Sequence, residues 1–124
     1  MKLISFKPSL VTKAIFPNIK TPTQINRGQC FIWAYSSYLI FQGVELWHSP
    51  CHAFVRYRKR FYDAESLRGE ENWQDLKSHM GGFATPTIVK HFKDDWGGNL
   101  ERFHTSWTEI EKKAKKVLLH ETSL

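Results

Sequence analysis

The amino-acid sequence predicts an α+β domain in which one buried helix packs on a small antiparallel sheet. Two observations carry this expectation. The run Cys-Phe-Ile-Trp-Ala-Tyr-Ser-Ser-Tyr-Leu-Ile-Phe-Gln (30–42) is apolar almost all round, ends at Gly43, and is too long for a typical strand. Downstream, His-Ala-Phe-Val-Arg-Tyr (52–57) and Arg-Phe-Tyr-Asp-Ala-Glu (60–65) flank a two-residue gap, as the arms of a hairpin would.

The other elements follow in order. Residues 1–20 mix Ile, Phe and Val with Pro8 and Pro17 and read as an extended arm or short strand. Thr21-Pro22-Thr23 reads as a turn, and Asn26-Arg27-Gly28-Gln29 as a loop in which Gly28 is free to take a positive φ. The hairpin turn, Arg58-Lys59, has poor chemistry, because neither residue favours positive φ; a longer or bulged loop is the alternative. Glu71–Met80 is a candidate short helix closed by Gly81-Gly82. Thr85-Pro86 suits a helix start for Thr87–Trp96, with a strand over Thr87–Phe92 as the competing reading. Ser106 and Glu109 fit a capping box, followed by Trp107, Ile110, Ala114, Val117 and Leu118 on one face of a last helix.

A length of 124 residues suits one domain, 1–124, and 41% hydrophobic with 15% aromatic residues excludes disorder. No apolar run approaches a membrane span, and Lys2, Lys7 and Lys13 interrupt the first 20 residues where a signal peptide needs a continuous apolar stretch. The expectation is a cytoplasmic protein without a membrane partner, its two cysteines, Cys30 and Cys51, present as thiols. The net charge of +6 concentrates in Arg56–Arg60 and in Lys112, Lys113, Lys115 and Lys116. Such clusters are usually solvated faces; an acidic protein partner, and less favourably nucleic acid, are the functional readings.

Cys30 starts the central helix directly after a glycine-containing loop, where the helix N-terminus favours thiolate over thiol. His52 opens a strand, and Asp63 follows in the neighbouring one. With Arg58-Lys59 as the turn, Phe54 faces Asp63 and His52 faces Glu65, so all four side chains share one sheet face. A diagonal carboxylate can then reach the imidazole; Asp63 is the first choice and Glu65 the alternative. A register slip of one residue would undo this arrangement. A lone cysteine is more often a small buried hydrophobe, and only the combination lifts Cys30 above that reading. Cys51, adjoining His52, reads as core filler. A zinc site of Cys30, His48, Cys51 and His52 is the weaker alternative, since Cys51 and His52 would face opposite ways in a strand; no metal or other cofactor is expected.

The blocks Gln-Ile-Asn-Arg-Gly-Gln-Cys-Phe-Ile-Trp-Ala-Tyr (24–35), His-Ala-Phe-Val-Arg-Tyr (52–57) and Phe-Tyr-Asp-Ala-Glu (61–65) together resemble the core of papain-like cysteine peptidases and amidases, a group that includes NlpC-type and transglutaminase-like enzymes. The resemblance spans residues 24–65, about a third of the chain. It implies Cys30 as nucleophile, His52 as general base and acid, and Asp63 as the orienting residue. It also implies Gln24, six positions before Cys30, as an oxyanion donor, with Gln29 beside it as a second oxyanion or substrate contact. The substrate implied is a protein or peptide carrying an amide, peptide or isopeptide bond. Two features depart from papain itself: Cys30 and His52 are much closer in sequence, and Phe31, not Trp, follows the cysteine. A binding module of the same fold without chemistry, using the basic surface as inhibitor or adaptor, is the alternative.

Overall fold

The computed structural model describes residues 1–18, 21–49, 52–77, 87–88 and 105–122. The apolar run forms a helix over Cys30–Ile40, and apart from Tyr38 and Leu39 every residue in it is buried. A helix with no polar face must be covered on all sides, and this one is. It packs on the sheet on one side and against helices from both ends of the chain on the other.

One of those helices corrects the expectation of an extended N-terminal arm. Pro8–Ile15 is α1, with Pro8 in its first turn, where a missing N–H costs nothing, and Val11 and Ile15 turned inward. Only the first few residues are extended. The Leu3 N–H donates to Ile40 O at 2.7 Å, and Leu3 O accepts from Gln42 N at 2.8 Å. The expected turn at Thr21-Pro22-Thr23 is likewise a helix start. Pro22–Asn26 is α2, and Thr21 and Gln24 complete a reciprocal capping box. The central helix is then α3, and the C-terminal Trp107–Thr122 is α4, entered as expected with Glu109 N–H donating to Ser106 Oγ at 3.2 Å. Ile110 and Ala114 are its buried positions, and its lysines lie exposed.

The sheet is antiparallel throughout, built from β1 (Glu45–Ser49), β2 (His52–Tyr57), β3 (Arg60–Asp63), β4 (Ser66–Glu70) and β5 (Thr87–Ile88) in the order β4-β3-β2-β1-β5. The β2–β3 register has Tyr57 opposite Arg60 and Val55 opposite Tyr62, as the two-residue turn requires. The turn holds Arg58 at φ 48° and Lys59 at φ 68°, a left-handed pair without glycine. Strand β3 ends at Asp63, and Ala64-Glu65 turn into β4. The helix expected over Glu71–Met80 is reduced to one 3-10 turn, Trp73–Asp75, within the described residues. Thr87–Ile88 pairs with Trp47 and His48 as a strand instead of opening a helix; the rest of the segment to Trp96 lies outside the described residues.

Strand β2 is buried on both faces, which explains its nearly continuous apolar sequence. Ala53 and Val55 join the core around α3. Phe54 forms a second cluster with Phe61 and Leu76, flanked by Trp47 and Trp73. His52 sits at the start of this doubly covered strand, 1% exposed.

Candidate active site

Two short structures bring Cys30 into place. Helix α2 ends at Asn26, and Gly28, at φ 144°, turns the chain so that α3 begins two residues later. The start of α3 is unusual chemically. Its N-cap, Gln29, makes no side-chain cap, and no acidic residue occupies the first turn. Most helices satisfy this end with Ser, Thr, Asp or Asn, as α2 does with Thr21. At α3 no side chain offsets the positive end of the helix beside Cys30. Among the described residues no acceptor takes the Cys30 N–H. The sulfur lies against β2, where Ala53 N–H donates to Sγ at 3.5 Å.

His52 and Asp63 meet on the sheet. His52 Nε2–H donates to Asp63 Oδ2 at 2.9 Å, with both side chains 1% exposed. The other oxygen of Asp63 accepts the N–H groups of Glu65 and Ser66, each at 2.9 Å. The carboxylate is thus clamped by the turn that follows its own strand, and it has little freedom to leave the imidazole. Cys30 also acts on the imidazole. Burial alone would push the imidazole down, but the hydrogen bond to Asp63 and the bond and charge of Cys30 outweigh it, and the pKa is raised to about 9. The ring also stacks on Phe54, 5.8 Å between centroids, which fixes its plane.

The remaining predicted site residues are distributed around this core. Glu65, the alternative third member, bonds to the helix that leads into Cys30. It lies in the turn after β3, where its Oε2 accepts from Thr23 Oγ1 at 3.2 Å and its Oε1 from Asn26 Nδ2 at 3.0 Å. These bonds tie α2, the approach to Cys30, to the strand end carrying Asp63. Gln24 is exposed, and its Oε1 accepts from Thr21 N–H at 3.1 Å in the capping box. Gln29 is half-buried beside Cys30, its carbonyl accepting from Ile32 and Trp33 N–H. Asn26, read from the sequence as the start of a loop, is instead the last residue of α2, 3% exposed and four positions before Cys30.

Of the zinc alternative, Cys51 lies outside the described residues. Among the described residues no group of three or more His, Cys, Asp and Glu side chains is arranged to hold a metal. His48 Nδ1 is instead 3.1 Å from Ser49 O. No helix among the described residues is long and apolar enough to cross a membrane.

In comparisons with known proteins, no family model, no curated protein and no solved structure matches the chain significantly.

Proposed function

We propose that the chain is a cysteine-dependent enzyme that cleaves or transfers an acyl group from an amide, peptide or isopeptide bond, with Cys30 as nucleophile, His52 as base and acid, and Asp63 as orienter. The observation that carries this reading is the buried chain Asp63–His52–Cys30, with a raised imidazole set against a thiol at an uncapped helix start. A purely structural cysteine needs none of these partners.

In the proposed cycle, His52 as imidazolium faces a Cys30 thiolate. The sulfur attacks the carbonyl carbon, a C–S bond forms, and the carbonyl electron pair moves to oxygen. The Cys30 N–H is available to donate to that oxyanion, in the manner of a backbone oxyanion hole. Collapse breaks the C–N bond, and the departing amine takes its proton from His52. Water then gives a proton to His52 and adds to the thioester. The C–S bond breaks, and carboxylic acid and Cys30 leave the cycle where it began. An amine in place of water gives transfer instead of hydrolysis. The test is release of amine from a library of peptide and side-chain amides. Turnover by the wild type and its loss in Cys30→Ser support the mechanism; full turnover by Cys30→Ser on the same substrate refutes it.

A second reading, binding of an acidic protein, is favoured by α4. Lys112, Lys113, Lys115 and Lys116 are exposed and have no ion-pair partner among the described residues. The hairpin cations are differently placed: Arg56 approaches Glu45 at 3.6 Å, Arg60 approaches Glu71 at 3.8 Å, and Arg58 lies over the Tyr57 ring. Binding through α4 would weaken steeply with salt, and reversing two of these lysines to Glu would abolish it.

A further inference from the structure

Helices α1 and α4 meet, and a groove of about 350 Å³ lies between them. Leu10 and Ala14, one helical turn apart on α1, and Val117 on α4 give it an apolar floor; all three are half-buried. Its surface is mostly carbon, since long cationic side chains lend their methylene stems to such a groove and keep the charge in water. The cations stand on both walls: Lys13 on α1 and Lys116 on α4 are exposed. Neither has an ion-pair partner among the described residues. His120, one turn beyond Lys116, also lines the groove, and Glu121 is the one carboxylate in its lining among the described residues. Around the groove the balance is positive. Helix α1 holds no acidic residue and follows Lys7, and α4 adds Lys112, Lys113 and Lys115 against Glu109. The remaining carboxylate of that helix, Glu111, is already engaged, accepting from Tyr35 Oη–H at 3.0 Å. None of the groove residues takes part in the Cys30–His52–Asp63 arrangement.

We infer that this groove docks an acidic segment of a partner protein, with one large apolar side chain of that segment seated on Leu10, Ala14 and Val117 and its carboxylates meeting Lys13 and Lys116. This inference rests on the reading of α4 as a surface for acidic proteins and is independent of the chemistry at Cys30. Three features select the occupant. Ala14 is the smallest side chain in the lining, which leaves room for an incoming group beside α1. The volume suits a single large side chain, and a longer apolar stretch would have to lie over exposed lysines. Cations on two walls favour carboxylates on either side of that anchor. A nucleic-acid backbone would meet the lysines and leave the apolar floor wet. A membrane is entered by apolar side chains that protrude, whereas Leu10, Ala14 and Val117 lie recessed between cations more exposed than they are. An apolar anchor in acidic surroundings matches both parts of the groove: burial supplies affinity, and the charges supply register.

The experiment measures binding of the full chain, by fluorescence anisotropy, to labelled peptides in which Leu, Trp or Gly stands between two blocks of Asp and Glu. The expected result is that the Leu and Trp peptides bind tighter than the Gly peptide by about tenfold or more, the scale set by burying one apolar side chain. Binding of all three should weaken as salt rises. Ala14→Phe fills the floor and should bring the three affinities together near that of the Gly peptide. Lys13→Glu combined with Lys116→Glu should remove binding of them all. Equal affinity for the three peptides in the wild type overturns the groove and leaves α4 as an acidic-protein surface. No binding of any acidic peptide at low salt overturns the groove and that reading together; capture by phosphatidylserine vesicles would then assign the lysines to a membrane. A second measurement needs no variant. On addition of the Leu peptide the methyl signals of Leu10, Ala14 and Val117 should shift, and a bound peptide that leaves them unchanged overturns the groove alone.

Discussion

His52 Nε2 and Asp63 Oδ2 are 2.9 Å apart in a place that water does not reach, each residue 1% exposed. A buried charge is tolerated only when paired and hydrogen-bonded, and Asp63 meets that condition through three N–H donors: His52, and the backbones of Glu65 and Ser66. The donors from Glu65 and Ser66 do not depend on His52, so the carboxylate is preorganised before the imidazole is charged.

Asp63→Asn keeps the shape of the side chain and removes its charge. Burial, which already works against imidazolium, then meets less opposition, so the His52 pKa falls from its raised position. The expected outcome, read by NMR titration of the His52 ring, is a midpoint well below about 9. Turnover near neutral pH should fall by roughly a hundredfold or more, in line with general acid–base contributions.

Stability should depend on pH in one direction through this residue. His52 is raised on folding, from 6.5 to about 9, so its protonated form stabilises the native state. That contribution is fully present below about pH 6.5 and is lost as pH rises through about 9. Its upper size is on the order of 3 kcal/mol for a shift of this scale. Chemical denaturation of the wild type across this window should show the loss, and His52→Gln should flatten it.

Glu65 holds α2 to the β3–β4 turn through Thr23 and Asn26. Glu65→Ala leaves the buried Asn26 amide without that acceptor, and its Oδ1 already lacks a hydrogen-bond partner among the described residues. The expected cost is about 1–3 kcal/mol in denaturation midpoint analysis. Because α2 leads into Cys30, labelling of Cys30 should also slow, whereas Asp63 and His52 keep their bond and the raised imidazole persists in NMR titration.

The hairpin turn stores strain that can be removed. Arg58 and Lys59 both adopt left-handed backbone, which costs L-residues other than glycine and asparagine. Replacing the pair with Asn-Gly should stabilise the chain by about 0.5–1 kcal/mol, less whatever the Arg58 stack on Tyr57 contributes. Urea denaturation of the double variant checks this.

The central helix and the β2–β3 pair were legible in sequence for a physical reason: an all-round apolar run has one way to be buried, and a two-residue gap fixes register. Once Tyr57 faces Arg60, His52 and Asp63 share a face, so much of the site geometry followed from the hairpin. The N-terminal helices were not legible, because Pro8 and Pro22 signal breaks as readily as helix starts. At Thr21-Pro22-Thr23-Gln24 the turn reading and the capping-box reading use the same residues, and only the reciprocal bonds decide between them. Gln24 shows the consequence: its side-chain carbonyl oxygen serves the cap of α2. Strand β1 escaped notice because Glu45–Ser49 alternates weakly, and the partner that makes it a strand is β2.

The most direct test is the rate of iodoacetamide labelling at Cys30 across about pH 4 to 9, compared between wild type and His52→Ala. The account predicts that Cys30 labels near pH 5 faster than an ordinary thiol by about tenfold or more, and that His52→Ala removes this advantage. Labelling no faster than a free thiol, or an acid-side rate indifferent to His52→Ala, would contradict it.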